Sequence, residues 1–165
     1  MAKPGIPARP FSDWGLGIDL PFTIAGPCST VSRDQVVATA EGIIRHAPQV
    51  KVLRAGVWKP RTRPGGFEGV GEAALPWLLE ARDRTGLLLM TEVATPQHVE
   101  AALTAGIDRL WFRARSTPKP FVVQASGDAL RGTDSRVFVQ RPLKPELQLW
   151  VVAVGRLAES SITRM

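Results

Sequence analysis

Apolar residues along this chain gather in short runs, and between the runs they recur at helical spacing. The runs lie at Phe22–Ala25, Lys51–Val57, Leu87–Val93, Arg109–Ala114, Arg136–Val139 and from Ile162 onward. They have the length of strands and are apolar almost throughout, the pattern of parallel strands covered on both faces. Each gap is long enough for a crossover helix. The first helix is predicted to start after Ser32, a capping residue with Gln35 three positions on, and to bury Val36, Val37, Ala40, Ile43 and Ile44 before Pro48 ends it. Further helices are predicted at Glu72–Arg84, stopped by Gly86, at Pro96–Ala105, stopped by Gly106, at Pro118–Leu130 and at Pro145–Glu159. Strict alternation of about six strands with five helices predicts an α/β fold of successive βα units, a partial (β/α)8 TIM barrel.

Residues 1–20 lack either periodicity and are interrupted by Pro4, Gly5, Pro7 and Pro10, so they read as an N-terminal arm, with 21–165 as the barrel part. A complete barrel of this kind takes about 250 residues. A chain of 165 that reads as barrel from near its start is therefore expected to be an incomplete one. Its open edges would pair with other chains, which predicts self-association or a complementary barrel fragment as partner.

Composition narrows the function classes. The net charge is +6 and the isoelectric point about 10.4. Basic residues are nevertheless scattered, with no run of five and no basic motif interleaved with aromatics, so small anionic substrates explain the balance better than nucleic acid does. One cysteine excludes an intramolecular disulfide framework and fits a reducing, cytoplasmic setting. Lys3 and Arg9 precede no apolar secretion segment, and no stretch of eighteen apolar residues could span a bilayer.

The candidate chemistry sits where apolar runs stop. Ile24-Ala-Gly-Pro-Cys-Ser29 ends in Cys28, a soft metal ligand if it is not simply a small buried hydrophobe. Leu53-Arg-Ala-Gly-Val-Trp-Lys-Pro-Arg-Thr62 delivers Arg54, Lys59 and Arg61, which suit phosphate or carboxylate. Arg54 lies inside an apolar run, where a guanidinium is costly unless it meets an anion. Residues 61–71 carry five glycines or prolines and form either a substrate-binding loop or a long βα connection. The histidines, His46 and His98, fall at helix ends and are not expected to bind catalytic metal.

Gly26-Pro-Cys-Ser29, Lys59-Pro-Arg-Thr62, Thr91-Glu92 and Ala114-Arg115, in this order, resemble the 3-deoxy-7-phosphoheptulonate (DAHP) synthases of the DAHP synthase/KDO-phosphate synthase barrel family. The likeness is closest to the class II-like type fused to a chorismate mutase, through Trp58-Lys-Pro-Arg-Thr-Arg-Pro64 and Phe67-Glu-Gly-Val-Gly71. The resemblance implies condensation of phosphoenolpyruvate with erythrose 4-phosphate, with release of phosphate, at the entry of the shikimate pathway. It implies a divalent metal held through Cys28, whose other family ligands, a histidine, a glutamate and an aspartate from later strands, are not matched in this chain. By the same resemblance Arg54 and Lys59 contact phosphoenolpyruvate, Lys59 protonates the aldehyde oxygen, Arg61 and Thr62 hold the phosphate of erythrose 4-phosphate, and Glu92 belongs to the pocket, its alternative being an orienting partner for a neighbouring cation. Ala114 and Arg115 match the pair that grips the phosphate of phosphoenolpyruvate.

Two positions depart from the family pattern. Arg113 stands where a glycine usually precedes the Ala-Arg pair, and strand alternation would turn Arg113 and Arg115 to the same face. Gln140 stands where the family has a lysine that contacts phosphoenolpyruvate, and losing a charge-assisted hydrogen bond costs roughly 1.5–3 kcal/mol. These departures and the unmatched ligands keep a second expectation open, a non-catalytic barrel remnant or anion-binding module.

Overall fold

The computed structural model describes residues 13, 21–59, 61, 64–107, 109–144, 146–162 and 165. Five strands and five α-helices alternate: β1 (Ile24–Ala25), α1 (Arg33–His46), β2 (Val52–Ala55), α2 (Leu75–Thr85), β3 (Leu88–Val93), α3 (Pro96–Thr104), β4 (Arg109–Phe112), α4 (Pro120–Ala129), β5 (Arg136–Val139) and α5 (Leu147–Glu159). The strands form one sheet in chain order, β1-β2-β3-β4-β5. This is a partial (β/α) barrel. The predicted arm, apart from Asp13, and residues 163–164 of the expected sixth strand lie outside the described residues.

Two compact units make up the chain. One holds β1, α1, β2, α2, β3 as far as Glu92, and Ala101–Ile107. Its strands are parallel, Ala25 opposite Leu53 and Ala55 opposite Thr91, so their carboxyl ends share one edge. Val52, Leu53 and Ala55 of β2 and all of β3 from Leu89 to Val93 are buried, as runs apolar almost throughout predicted. Helix α1 is capped as its spacing implies. The Gln35 N–H donates to Ser32 Oγ at 3.2 Å, while Gln35 Oε1 accepts from the Val31 N–H at 3.0 Å. Val36, Val37, Ala40 and Ile43 are buried, whereas Ile44 is 41% exposed and stands outside the stripe. Arg33 pairs with Glu80 and Arg84 with Glu41 across α1 and α2, exposed ion pairs that solvent screens and that add little to stability. A 3-10 turn at Gly71–Ala74 precedes α2, which begins three residues later than predicted. Pro76 has no N–H to give and is accommodated only in the first turn. Gly86 closes the helix at φ 71°, the left-handed cap expected of it.

The other unit holds Val93–Glu100 and everything from β4 to α5. β4 and β5 are parallel with Phe112 opposite Val139. Helices α4 and α5 are joined by a polar network in which Gln124, Asp128, Arg156 and the fully buried Ser160 hydrogen-bond one another. β4 ends two residues earlier than predicted. The chain turns at once, with Ser116 and Thr117 N–H groups donating to the Arg113 carbonyl at 2.9 and 3.0 Å. Strand alternation therefore does not relate Arg113 to Arg115, a correction that follows from the turn.

Candidate functional site

The unit built on β1 to β3 brings four of the predicted residues together: Cys28, Arg54, Lys59 and Glu92. Gly26 follows β1 at φ +138°, and its missing side chain lets the Arg54 carbonyl approach more closely than any Cβ would allow. Beyond it, the Gly56 N–H donates to the Pro27 carbonyl at 3.4 Å and the Thr30 N–H to the Gly56 carbonyl at 3.0 Å. These bonds tie the loop bearing Cys28 to the end of β2. Cys28 is exposed.

Lys59 lies four residues past β2 with its side chain 2% exposed. Its backbone N–H donates to the Glu68 carbonyl at 2.6 Å, and the Gly71 N–H donates to the Val57 carbonyl at 3.0 Å, so the glycine-rich segment folds back on the lysine's own stretch. Gly69, at φ +96°, packs so tightly on the Val57 backbone that a side chain there would overlap it. Arg61 Nε donates to the Phe67 carbonyl at 3.0 Å within the same segment. Thr62 lies outside the described residues.

The Lys59 ammonium donates to Cys28 Sγ at 3.6 Å and to Glu92 Oε2 at 3.4 Å. Glu92 is the penultimate residue of β3, and its side chain is also 2% exposed. A buried ammonium beside one carboxylate and one sulfur has an opposite charge on one side and a hydrogen-bond acceptor on another, which is what a buried charge requires. Thr91, next to Glu92, donates from Oγ1 to the Ala55 carbonyl at 2.9 Å and fixes the end of β3 against β2. Burial raises the Cys28 thiol, but the charges of Lys59 and Arg54 and their hydrogen bonds lower it by more, so its pKa falls below the ordinary thiol value. Arg54 itself is half-buried.

The second unit places Ala114, Arg115 and Gln140 around the turn after β4. The Ala114 N–H donates to Gln140 Oε1 at 3.2 Å, and the Gln140 N–H donates to the Phe112 carbonyl at 3.0 Å. Thr117 Oγ1 lies 2.8 Å from the Gln140 carbonyl and 3.0 Å from that of Arg113. Gln140 thus stitches the turn instead of presenting a cation. Arg115 is exposed and Arg113 half-buried. The motif reading overlooked Thr91 and Thr117 because a hydroxyl that serves a neighbouring carbonyl leaves no mark in sequence spacing.

The two histidines have helix-end places, as expected. His46 ends α1, and His98 Nδ1 accepts from the Ala94 N–H at 3.3 Å while its own N–H donates to Thr95 Oγ1 at 3.3 Å. No group of three His, Cys, Asp or Glu able to hold a metal ion occurs among the described residues. Cys28 has two cations for neighbours, so the donor set present does not fit a resident divalent metal.

Parallel strands with a thiol, an ammonium and a guanidinium at their carboxyl ends define a (β/α)-barrel protein with a cationic strand-end site. The model of the DAHP synthetase I family matches residues 6–127, and the chain belongs to that family. Phospho-2-dehydro-3-deoxyheptonate aldolase of Thermotoga maritima is 47% identical over 72 residues, 43% of this chain and 21% of that protein. The crystal structure of phospho-2-dehydro-3-deoxyheptonate aldolase (DAHP synthase) from Thermotoga maritima matches 87% of this chain and 39% of its own, with a TM-score of 0.73 at 29% identity. A truncated form of 3-deoxy-D-arabino-heptulosonate 7-phosphate synthase from the same organism matches 87% and 49%, with a TM-score of 0.70 at 28% identity. The chain spans less than half the length of each of these relatives. No helix among the described residues is long and apolar enough to cross a membrane.

Proposed function

We propose that this chain carries the early strand ends of a 3-deoxy-7-phosphoheptulonate synthase, which condenses phosphoenolpyruvate with erythrose 4-phosphate and releases phosphate. The observation that carries this reading is the buried Lys59 ammonium, held between Cys28 Sγ and Glu92 Oε2 at the carboxyl edge of the sheet. An ammonium has three hydrogens, and two are engaged here. The third is offered to substrate, where Lys59 acts as general acid toward the aldehyde oxygen. Glu92 orients Lys59. Arg54 supplies a second positive charge for phosphoenolpyruvate, and Arg61 with Thr62 takes the phosphate of erythrose 4-phosphate. In the other unit Ala114, Arg115 and Gln140, the last in place of the family's lysine, are that unit's own anion-binding candidates by the resemblance.

The finer placement with the chorismate-mutase-fused type rests on Trp58-Lys-Pro-Arg-Thr-Arg-Pro64 and Phe67-Glu-Gly-Val-Gly71. A divalent metal at Cys28 rests on the resemblance alone, and no step is assigned to it. The partners are phosphoenolpyruvate and erythrose 4-phosphate. The setting is cytoplasmic.

The test is phosphate release from the two substrates, measured with this chain alone and mixed with a polypeptide bearing the later strands of a DAHP synthase barrel. Release that depends on both chains and is lost in Lys59→Ala supports the proposal. Phosphoenolpyruvate binding without turnover in any mixture would replace it with the anion-binding module.

A further inference from the structure

Gly56 directly follows β2, and the space its side chain would occupy is already filled. A Cβ there would overlap Lys59 Nζ and the Cys28 carbonyl oxygen, and would stand 2.8 Å from Lys59 Cε. The backbone does not ask for glycine at this position, because Gly56 is not among the glycines of positive φ. In that respect it differs from Gly26 and Gly69, whose φ values of +138° and +96° favour glycine whatever the space around them. The requirement at Gly56 is purely spatial. Two of the three atoms in the way belong to the flexible end of Lys59, which yields more readily than backbone.

We infer that Gly56 is a positioning residue for this site: by lacking a side chain it leaves the room in which the Lys59 ammonium settles between the Cys28 sulfur and the Glu92 carboxylate. The inference rests on the reading of Lys59 as the acting group. A methyl group at position 56 drives the ammonium out of that space, while the apolar packing of β2, built from Val52, Leu53 and Ala55, stays as it is. The loss falls on the placement of that charge and on the Cys28 carbonyl, which the same methyl group meets.

Cys28 is the only cysteine, so its alkylation reports on its own surroundings. The experiment compares iodoacetate with iodoacetamide at a single pH on the wild-type chain, Gly56→Ala, Lys59→Ala and the double variant. A unit charge about 4 Å away is worth about 1 kcal/mol even in bulk water. The ratio of the two rates, anionic over neutral reagent, should therefore fall by about fivefold or more in Gly56→Ala, reach the value of Lys59→Ala, and fall no further in the double variant. An unchanged ratio in a folded Gly56→Ala overturns the inference. If Gly56→Ala does not fold, the double variant decides, judged against Lys59→Ala. Recovery of the fold once Lys59 is shortened supports the inference, and failure of both Gly56 variants while Lys59→Ala folds assigns the constraint to the Cys28 carbonyl and overturns it. Because the readout is thiol chemistry and not turnover, failure here leaves the proposed condensation standing, and absence of turnover leaves this inference standing.

Discussion

Lys59 and Glu92, 33 positions apart in sequence, meet at 3.4 Å with both side chains 2% exposed. Removing the carboxylate of such a pair leaves the buried ammonium without its opposite charge, at a cost of about 3–5 kcal/mol. Glu92→Gln is expected to lower unfolding stability toward that range, with the Cys28 contact holding the loss to its lower end. Pairing it with Lys59→Met should cost less than the two single changes added together. Urea denaturation of the four proteins checks this, and strict additivity would sink the idea that the pair acts as a unit.

Cys28 gives a pH prediction with a definite sign. Burial raises its pKa, and Lys59 followed by Arg54 lowers it by more, so the thiolate is favoured in the folded chain. Alkylation by iodoacetamide should reach half its maximal rate below the pH of an ordinary thiol, and Lys59→Ala should move that midpoint upward. Linkage has the matching sign. The contribution to stability is fully present above the unfolded thiol's pKa and is lost as pH falls through the lower folded value. Identical profiles in the two proteins would contradict the assignment.

Gln140 offers a prediction in which binding and stability move apart. Gln140→Lys removes the acceptor of the Ala114 N–H, a neutral hydrogen bond worth about 1 kcal/mol, so the melting temperature should fall slightly. Combined with Arg113→Gly, and with later barrel strands supplied, it should tighten phosphoenolpyruvate binding about tenfold to a hundredfold, the worth of a charge-assisted contact. Calorimetry that finds equal or weaker affinity would mean the anion is held another way.

Exposed apolar side chains point to association. Phe121 is 87% exposed, Leu143 70% and Leu147 73%. Exposed apolar surface recruits further chains. Light scattering at micromolar concentration should find oligomers or aggregates, and a cooperatively melting monomer would refute this.

The sequence by itself determined the alternation of strands and helices, because that depends on local periodicity and caps: Ser32 with Gln35, Gly86, and the largely apolar run from Leu88 to Val93. It also marked Cys28, Arg54, Lys59 and Glu92, since each stands where an apolar run meets reactive or charged groups at a strand's end. It placed the end of β4 too late, for the Arg113 carbonyl is captured by Ser116 and Thr117 in a turn that no hydrophobic pattern records. Only the tertiary structure decided that Lys59 reaches both Cys28 and Glu92, that Gln140 binds the Ala114 backbone, and that Gly56 leaves room for an ammonium. Those relations join residues from different strands, and the strand register that sets their distances comes from packing across the sheet, which spacing along one chain does not encode.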